Sequence, residues 1–189
     1  MSKRKRVASV VLNDFINDSR VLKEVRSLTA AGFEVTVVAL KIGDVPKFEK
    51  REGFEVHRID LKTRVLPKGK FFGAIKYLEL TLRIIFGYAN RDIWHCNDFE
   101  PFLMAAMTKI FKRKLQVVYD AHEYAREKNG RDGINKRFVN WMEPKIIHCA
   151  DAVITVSEGI AKEYVRLYGL EKVHVVYNAP HKIQPIKAD

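Results

Sequence analysis

Apolar residues recur along the chain in two alternating rhythms. Short runs rich in valine and isoleucine, at 7–12 (VASVVL), 34–40 (EVTVVAL), 92–96 (DIWHC), 117–119 (VVY), 152–156 (AVITV) and 173–176 (VHVV), have the length and β-branched content of buried strands. A further run at 54–59 (FEVHRI) alternates as a half-exposed strand does, and the charged segment 41–51, with Gly43 and Pro46, reads as a loop. Between the runs the spacing turns helical. Val21, Val25 and Leu28 share a face after the cap candidates Asn17, Asp18 and Ser19, and Gly32 stands where that helix ends. A long apolar helix is predicted from about 70 to 88 with Phe71, Ile75, Leu78, Leu82 and Ile85 toward the core. Others are predicted over 102–111, with Pro101 in the first turn and Asn97 or Asp98 as cap; over 134–149, kinked or split in two by Pro144; and from the cap Ser157 to Tyr168, closed by Gly169.

Strands alternating with helices from end to end give an α/β fold: a doubly wound, mostly parallel, Rossmann-like sheet of about six to seven strands. With 189 residues, 47% of them hydrophobic, the chain can bury one sizeable core. Residues 1–178 are read as that domain, and 179–189, with two prolines and no apolar periodicity across 177–189, as a hinge or linker tail. Cys96 and Cys149 make no disulfide framework, and with His95 and His148 they lack zinc-site spacing, so free thiols and a cytoplasmic location are expected. No apolar run is long enough to span a bilayer, and the basic start MSKRKR lacks a signal-peptide core. The net charge of +11 asks for an anionic partner: nucleic acid, lipid or a phosphorylated ligand.

Polar chemistry gathers at the carboxyl ends of the strands, where open α/β sheets bind ligands. QVVYDAHEY breaks from its apolar run into Asp120, His122 and Glu123; NDFIND follows the first strand; NDFEP follows the strand at 92–96. His122 is the leading candidate, the competing reading being a brace for its own loop. Asp14, Asp18, Asp98, Asp120 and Glu123 fit no metal-ligand spacing, and no metal is assigned. GxxxxGK(S/T), GxGxxG and GxSxG are all missing. Glu143, ahead of Pro144, reads as a helix-end cap or salt-bridge partner, and Lys112, Arg113 and Lys114 as complements to a helix dipole.

The segments DSRVLKEVRSLTAAGFEVTVVAL, DIWHCNDFEP, VVYDAHEY, WMEPKIIHCADAVITVSEGIAKEY and KVHVVYNAP, in this order and spacing, resemble the amino-terminal domain of a GT-B fold glycosyltransferase of family 4. The resemblance implies half of a retaining, nucleotide-sugar-dependent enzyme. This domain would bind the sugar or lipid-linked acceptor, and a carboxyl-terminal partner domain would bind the nucleoside-diphosphate sugar, so no cofactor is expected here and the isolated chain is expected to be inactive. It also implies a catalytic role for His122 against the transferring sugar and acceptor contacts from Asn13, Asp14, Asn97, Asp98 and Glu123. Glu123 has the alternative of an ion pair with Arg126. The glycines that many members carry in the first loop are missing from NDFIND, which puts backbone contact with phosphate there in doubt. Two rival readings are a stand-alone non-catalytic subunit that docks to a separate donor-binding domain, and a flavodoxin-like module for a polyanion. Aromatic–basic interleaving occurs on one helix only, so nucleic acid is not the expected partner.

That helix, over 70–88, carries Lys76 and Arg83 beside Phe72 and Leu80 on the face opposite its expected core stripe, with Lys68 and Lys70 at one end. These six residues are expected to contact an anionic membrane surface, as in a peripheral protein of the cytoplasmic face. The alternative is that neighbouring elements cover Phe72 and Leu80.

Overall fold

The computed structural model describes residues 4–121 and 133–178. Eight strands form one sheet: β1 (Arg6–Val10), β2 (Glu34–Leu40), β3 (Phe48–Arg51), β4 (Phe54–Ile59), β5 (Ile93–Asn97), β6 (Gln116–Asp120), β7 (Ala152–Thr155) and β8 (His174–Val175). Their order is β3-β4-β2-β1-β5-β6-β7-β8, and every pairing is parallel except β3 with β4. The sequence direction of the sheet reverses at β1, so the crevice of this doubly wound fold opens at the carboxyl ends of β1 and β5.

The additional strand is β3, which falls within the segment expected to be a loop. It pairs with β4 through Glu52 and Gly53, both at positive φ (29° and 91°), in a two-residue hairpin turn. Its sequence FEKR hides it, because charged residues on an edge strand protect the edge without producing an apolar signature.

Helix α1 (Ser19–Ala30) covers one sheet face, its Val21 and Val25 packing with Val7, Val11, Val35, Val37 and Phe54. The other face carries α2 (Lys70–Tyr88), α3 (Phe99–Phe111), α4 (Gly133–Ile146) and α5 (Glu158–Tyr168). Trp94 and Cys96 point there and His95 and Asn97 point to the α1 side, as alternation along a strand requires. The caps follow the sequence: Asp18 accepts from the Val21 amide at 3.0 Å, Ser157 from the Ile160 amide at 3.3 Å, and Gly169 closes α5 in left-handed geometry at φ 63°. Pro144 lies in the last turns of α4, after which the chain tightens into a 3-10 turn at Ile147–Cys149 rather than continuing as α-helix.

The rotation of α2 differs from expectation. Its buried residues are Leu80, Thr81, Ile84, Ile85 and Tyr88, whereas Phe71, Leu78 and Leu82, expected in the core, are exposed. Both flanks of this helix are apolar, so helical period alone did not decide which one faces the sheet. Leu80, at 4% exposure, therefore cannot contact a membrane. Lys76 donates to the Leu66 carbonyl at 2.8 Å, and Arg83 donates to the Asp60 carbonyl at 3.2 Å and pairs with Glu79 at 2.8 Å, so both cations of the expected docking face are engaged in bracing the 3-10 turn Lys62–Val65 and its approach. Phe72 is half-buried beside Phe71, and Lys68 and Lys70 are exposed.

Glu143 is fully buried, and among the described residues it pairs with no cation and caps no helix end. Its carboxylate accepts from the hydroxyls of Tyr119 (2.8 Å), Tyr164 (2.9 Å) and Tyr168, tying α4 to β6 and α5.

Candidate functional site

The loop after β1 is fixed by its own side chains. Asn13 accepts from the Phe15 amide at 2.8 Å and donates to Asp18 at 2.8 Å, and Asp14 accepts from the Ile16 amide at 3.2 Å. Phe15 stands at φ 54° in the left-handed region where a glycine would be unstrained. Its ring is 2% exposed, edge-on to Phe54 and beneath the Arg51 guanidinium, so packing holds the backbone where a bulky residue rarely goes. The buried Arg58 donates to the Asp14 carbonyl at 2.8 Å from the neighbouring β4. The glycine-free loop NDFIND is thus rigid by Asx turns and by burial of one aromatic ring.

Beside it, the carboxyl ends of β5 and β6 bring Asn97 and Asp120 into register, and α1 lays Arg20 and Glu24 over them. The Asn97 amide donates to Ser9 Oγ and the Val10 carbonyl, both at 3.1 Å, and its oxygen faces Arg20 at 3.5 Å. Arg20 forms an ion pair with Asp120 and donates a hydrogen bond to Glu24 at 3.2 Å. Burial, followed by the neighbouring Asp120 carboxylate, pushes the Glu24 carboxyl up to about 8, so it is largely protonated at neutral pH. Burial holds the His95 imidazole below its usual value and therefore neutral. His95 Nε2 and Glu24 Oε2 lie 3.9 Å apart, and neither has a hydrogen-bond partner among the described residues. Donor atoms of Glu24, His95 and Asp120 converge within 4.8 Å, but Arg20 already supplies a cation on the Asp120 carboxylate.

Among the sequence candidates, Asn13 and Asp14 line an open depression of about 450 Å³ together with Asn17, Asp18, Ser19, Arg20 and Asn178. Asn97 does not reach it: buried at 2% exposure, it is a strut between β5, β1 and Arg20. Asp98 stands at the N-cap position of α3 without a side-chain cap hydrogen bond, at φ 85°, a strained backbone position, and its amide donates to the Asp120 carbonyl at 3.1 Å. His122, Glu123, the loop 125–132 and the tail 179–189 lie outside the described residues. Asp120 directs its carboxylate to Arg20. Arg20, Glu24 and His95 went unnoticed in the sequence as site residues. The available signal was the four-residue spacing of Arg20 and Glu24 on a helix that starts at the crevice.

The family description Glycosyltransferase Family 4 matches residues 19–179. The chain is similar in structure to a sucrose-phosphate synthase from Thermosynechococcus elongatus, with 16% identity, a TM-score of 0.63, and coverage of 92% of this chain and 87% of that one. It is similar to the catalytic domain of starch synthase IV from Arabidopsis thaliana bound to ADP and acarbose, at 13% identity and TM-score 0.61, covering 93% of this chain and 52% of that one. It is also similar to an alpha,alpha-trehalose-phosphate synthase (UDP-forming) from Burkholderia vietnamiensis, at 10% identity and TM-score 0.55, covering 88% and 43%. In the last two comparisons the chain spans about half of the other's length or less. A search of curated proteins finds no match. The sheet is that of one Rossmann-like half of a GT-B fold, and with most of its length matched the chain belongs to glycosyltransferase family 4.

Proposed function

We infer that the chain is the acceptor-binding half of a retaining glycosyltransferase, which moves a sugar from a nucleoside-diphosphate sugar to a glycan or lipid-linked acceptor. The observation that carries this reading is the polar depression at the carboxyl end of β1, beside the point where the strand order reverses. Its volume of about 450 Å³ lies within the usual range for small-ligand sites. Its lining is made of side-chain amides, carboxylates, a hydroxyl and one guanidinium, groups that match the mixed donor and acceptor character of sugar hydroxyls.

In sequence His122 follows by two residues Asp120, the carboxylate that Arg20 holds, and it is the histidine that the family resemblance sets against the transferring sugar. From there a neutral imidazole can hydrogen-bond the transferring sugar as positive charge develops on it, which is where preorganised groups contribute most to transfer with a departing diphosphate. The donor-binding groups come from a second, carboxyl-terminal domain across the cleft.

The test is steady-state kinetics of the two-domain enzyme with Asp14→Ala. The reading expects the acceptor KM to rise by about tenfold, the scale of one or two lost hydrogen bonds, with the donor KM unchanged. A rise confined to the donor KM would place the depression on the donor side and overturn the assignment.

A further inference from the structure

We propose that the outer face of α2, with the adjoining end of α3, docks flat on an anionic lipid bilayer. Phe71, Leu78, Leu82 and Phe86 follow one another at helical spacing along the solvent side of α2, with Phe71 72% and Phe86 74% exposed. The stripe continues at the end of α3, where Ile110 is 78% exposed and Met107 and Phe111 are also open. Monomeric proteins rarely leave contiguous apolar surface of this kind uncovered. A helix of 19 residues is about 28 Å long, so the stripe runs most of the way from one edge of the sheet to the other.

The charge around the stripe selects the occupant. At its far end, Arg4, Lys5, Arg91, Lys112, Arg113 and Lys114 surround an open depression of about 940 Å³ that also includes Ile110 and Phe111, with Asp92 as its carboxylate. Asp92 pairs with Arg6 at 3.6 Å and Arg91 with Glu34 at 3.4 Å, whereas Arg4, Lys5, Lys112, Arg113 and Lys114 form no ion pair with the described residues. At the near end, Lys62, Arg64, Lys68 and Lys70 are exposed around Val65, itself 90% exposed. The one carboxylate of α2, Glu79, is turned inward to Thr63 and Arg83. An apolar strip with cations at both ends and no outward carboxylate on α2 complements headgroup phosphates and the acyl region just beneath them. Among the described residues no helix is long and apolar enough to cross a membrane, so the contact lies in the interface.

The topology gives the docking a direction. A short turn joins the carboxyl end of α2 to the amino end of β5, so the amino end of α2 lies toward the carboxyl edge of the sheet, where Asn13 and Asp14 line their depression. With α2 on the bilayer, that edge opens alongside the membrane, within reach of the polar head of a lipid held in it. Docking itself does not rest on the transfer reaction, and vesicle binding is measured without sugar substrates.

The experiment is co-sedimentation of the purified protein with vesicles of equal parts phosphatidylglycerol and phosphatidylcholine, beside vesicles of phosphatidylcholine alone. Binding is expected on the anionic vesicles, weakening with salt, and absent on the neutral ones. Phe71→Ser/Leu78→Ser/Phe86→Ser and Lys112→Glu/Lys114→Glu alter exposed positions and should keep the parent's melting temperature while each lowers the apparent affinity about tenfold or more. Lys162→Glu/Lys172→Glu, equal in charge change but on and after α5, should bind like the parent. No binding to anionic vesicles, equal binding to neutral ones, or an equal loss in the Lys162/Lys172 pair would overturn the proposal. So would concentration-dependent dimerisation, abolished by the serine variant, in a protein that ignores vesicles.

Discussion

Glu143 offers a direct check on how the α2–α5 face is held together. Three tyrosine hydroxyls from β6 and α5 converge on its carboxylate inside the protein. Glu143→Leu keeps most of the volume and removes both acceptor oxygens, and with them all three hydrogen bonds. Leaving a buried hydroxyl without its acceptor costs about 1–3 kcal/mol each, so the gross loss is about 3–9 kcal/mol. Relief of the buried carboxylate's desolvation returns several kcal/mol of that, leaving a net destabilisation of about 3–5 kcal/mol. For a chain of this size, that corresponds to a fall in melting temperature of about 6–20 °C. Glu143→Gln retains one carbonyl acceptor and should fall between parent and Leu. Thermal and urea unfolding at neutral pH measure the series, and a double-mutant cycle of Glu143→Leu with Tyr168→Phe should give a coupling of about 1.5–3 kcal/mol. A Leu variant as stable as the parent, or a cycle with no coupling, would refute the carboxylate's part in holding α4 to α5.

Further expectations concern pH and turnover. Glu24 has a folded pKa raised to about 8 from the usual 4.5, so its contribution is complete below about 4.5 and is lost as pH rises through about 8; Glu24→Gln should therefore gain stability relative to the parent as pH is raised from about 5 to about 9, and a constant difference across that range would contradict the assignment. Burial pushes the Tyr119 and Tyr164 hydroxyls well above the usual tyrosine value, so their contribution is complete below about pH 10 and declines above it; alkaline unfolding of a Tyr119→Phe/Tyr164→Phe variant should be less steep than the parent's. In the two-domain enzyme, His122→Ala should lower turnover by about 10²-fold or more with an unchanged melting temperature, the scale for loss of one positioned transition-state hydrogen bond; near-normal turnover would return His122 to a bracing role.

Most of the fold was legible in the sequence because local signals agreed with one another. Valine-rich runs such as 34–40 sat inside a parallel sheet, and Asp18, Ser157 and Gly169 marked helix ends through their own bonding and backbone preferences. What escaped was set by tertiary packing. β3 carries charges because it is an edge, and α2 has two apolar flanks of which only contact with the sheet selects one. The site divides in the same way. Strand ends pointed to the polar loops, and of their residues Asn13 and Asp14 line the depression beside β1. Asn97 had the right position but is turned inward to Ser9, a consequence of strand register that no single segment records. Arg20, Glu24 and His95 come from α1 and β5 and meet only when the helix is laid over the sheet, and Glu143 becomes a buried acceptor only once three distant tyrosines surround it.

The most direct test of the central reading is sugar transfer by the chain joined to a donor-binding half, in one polypeptide or as a separate subunit, assayed with a panel of nucleoside-diphosphate sugars and read by NMR of the product's anomeric configuration. Transfer is expected to need both halves and to keep the donor's anomeric configuration. Turnover by residues 1–189 alone, or a product of inverted configuration, would contradict that reading.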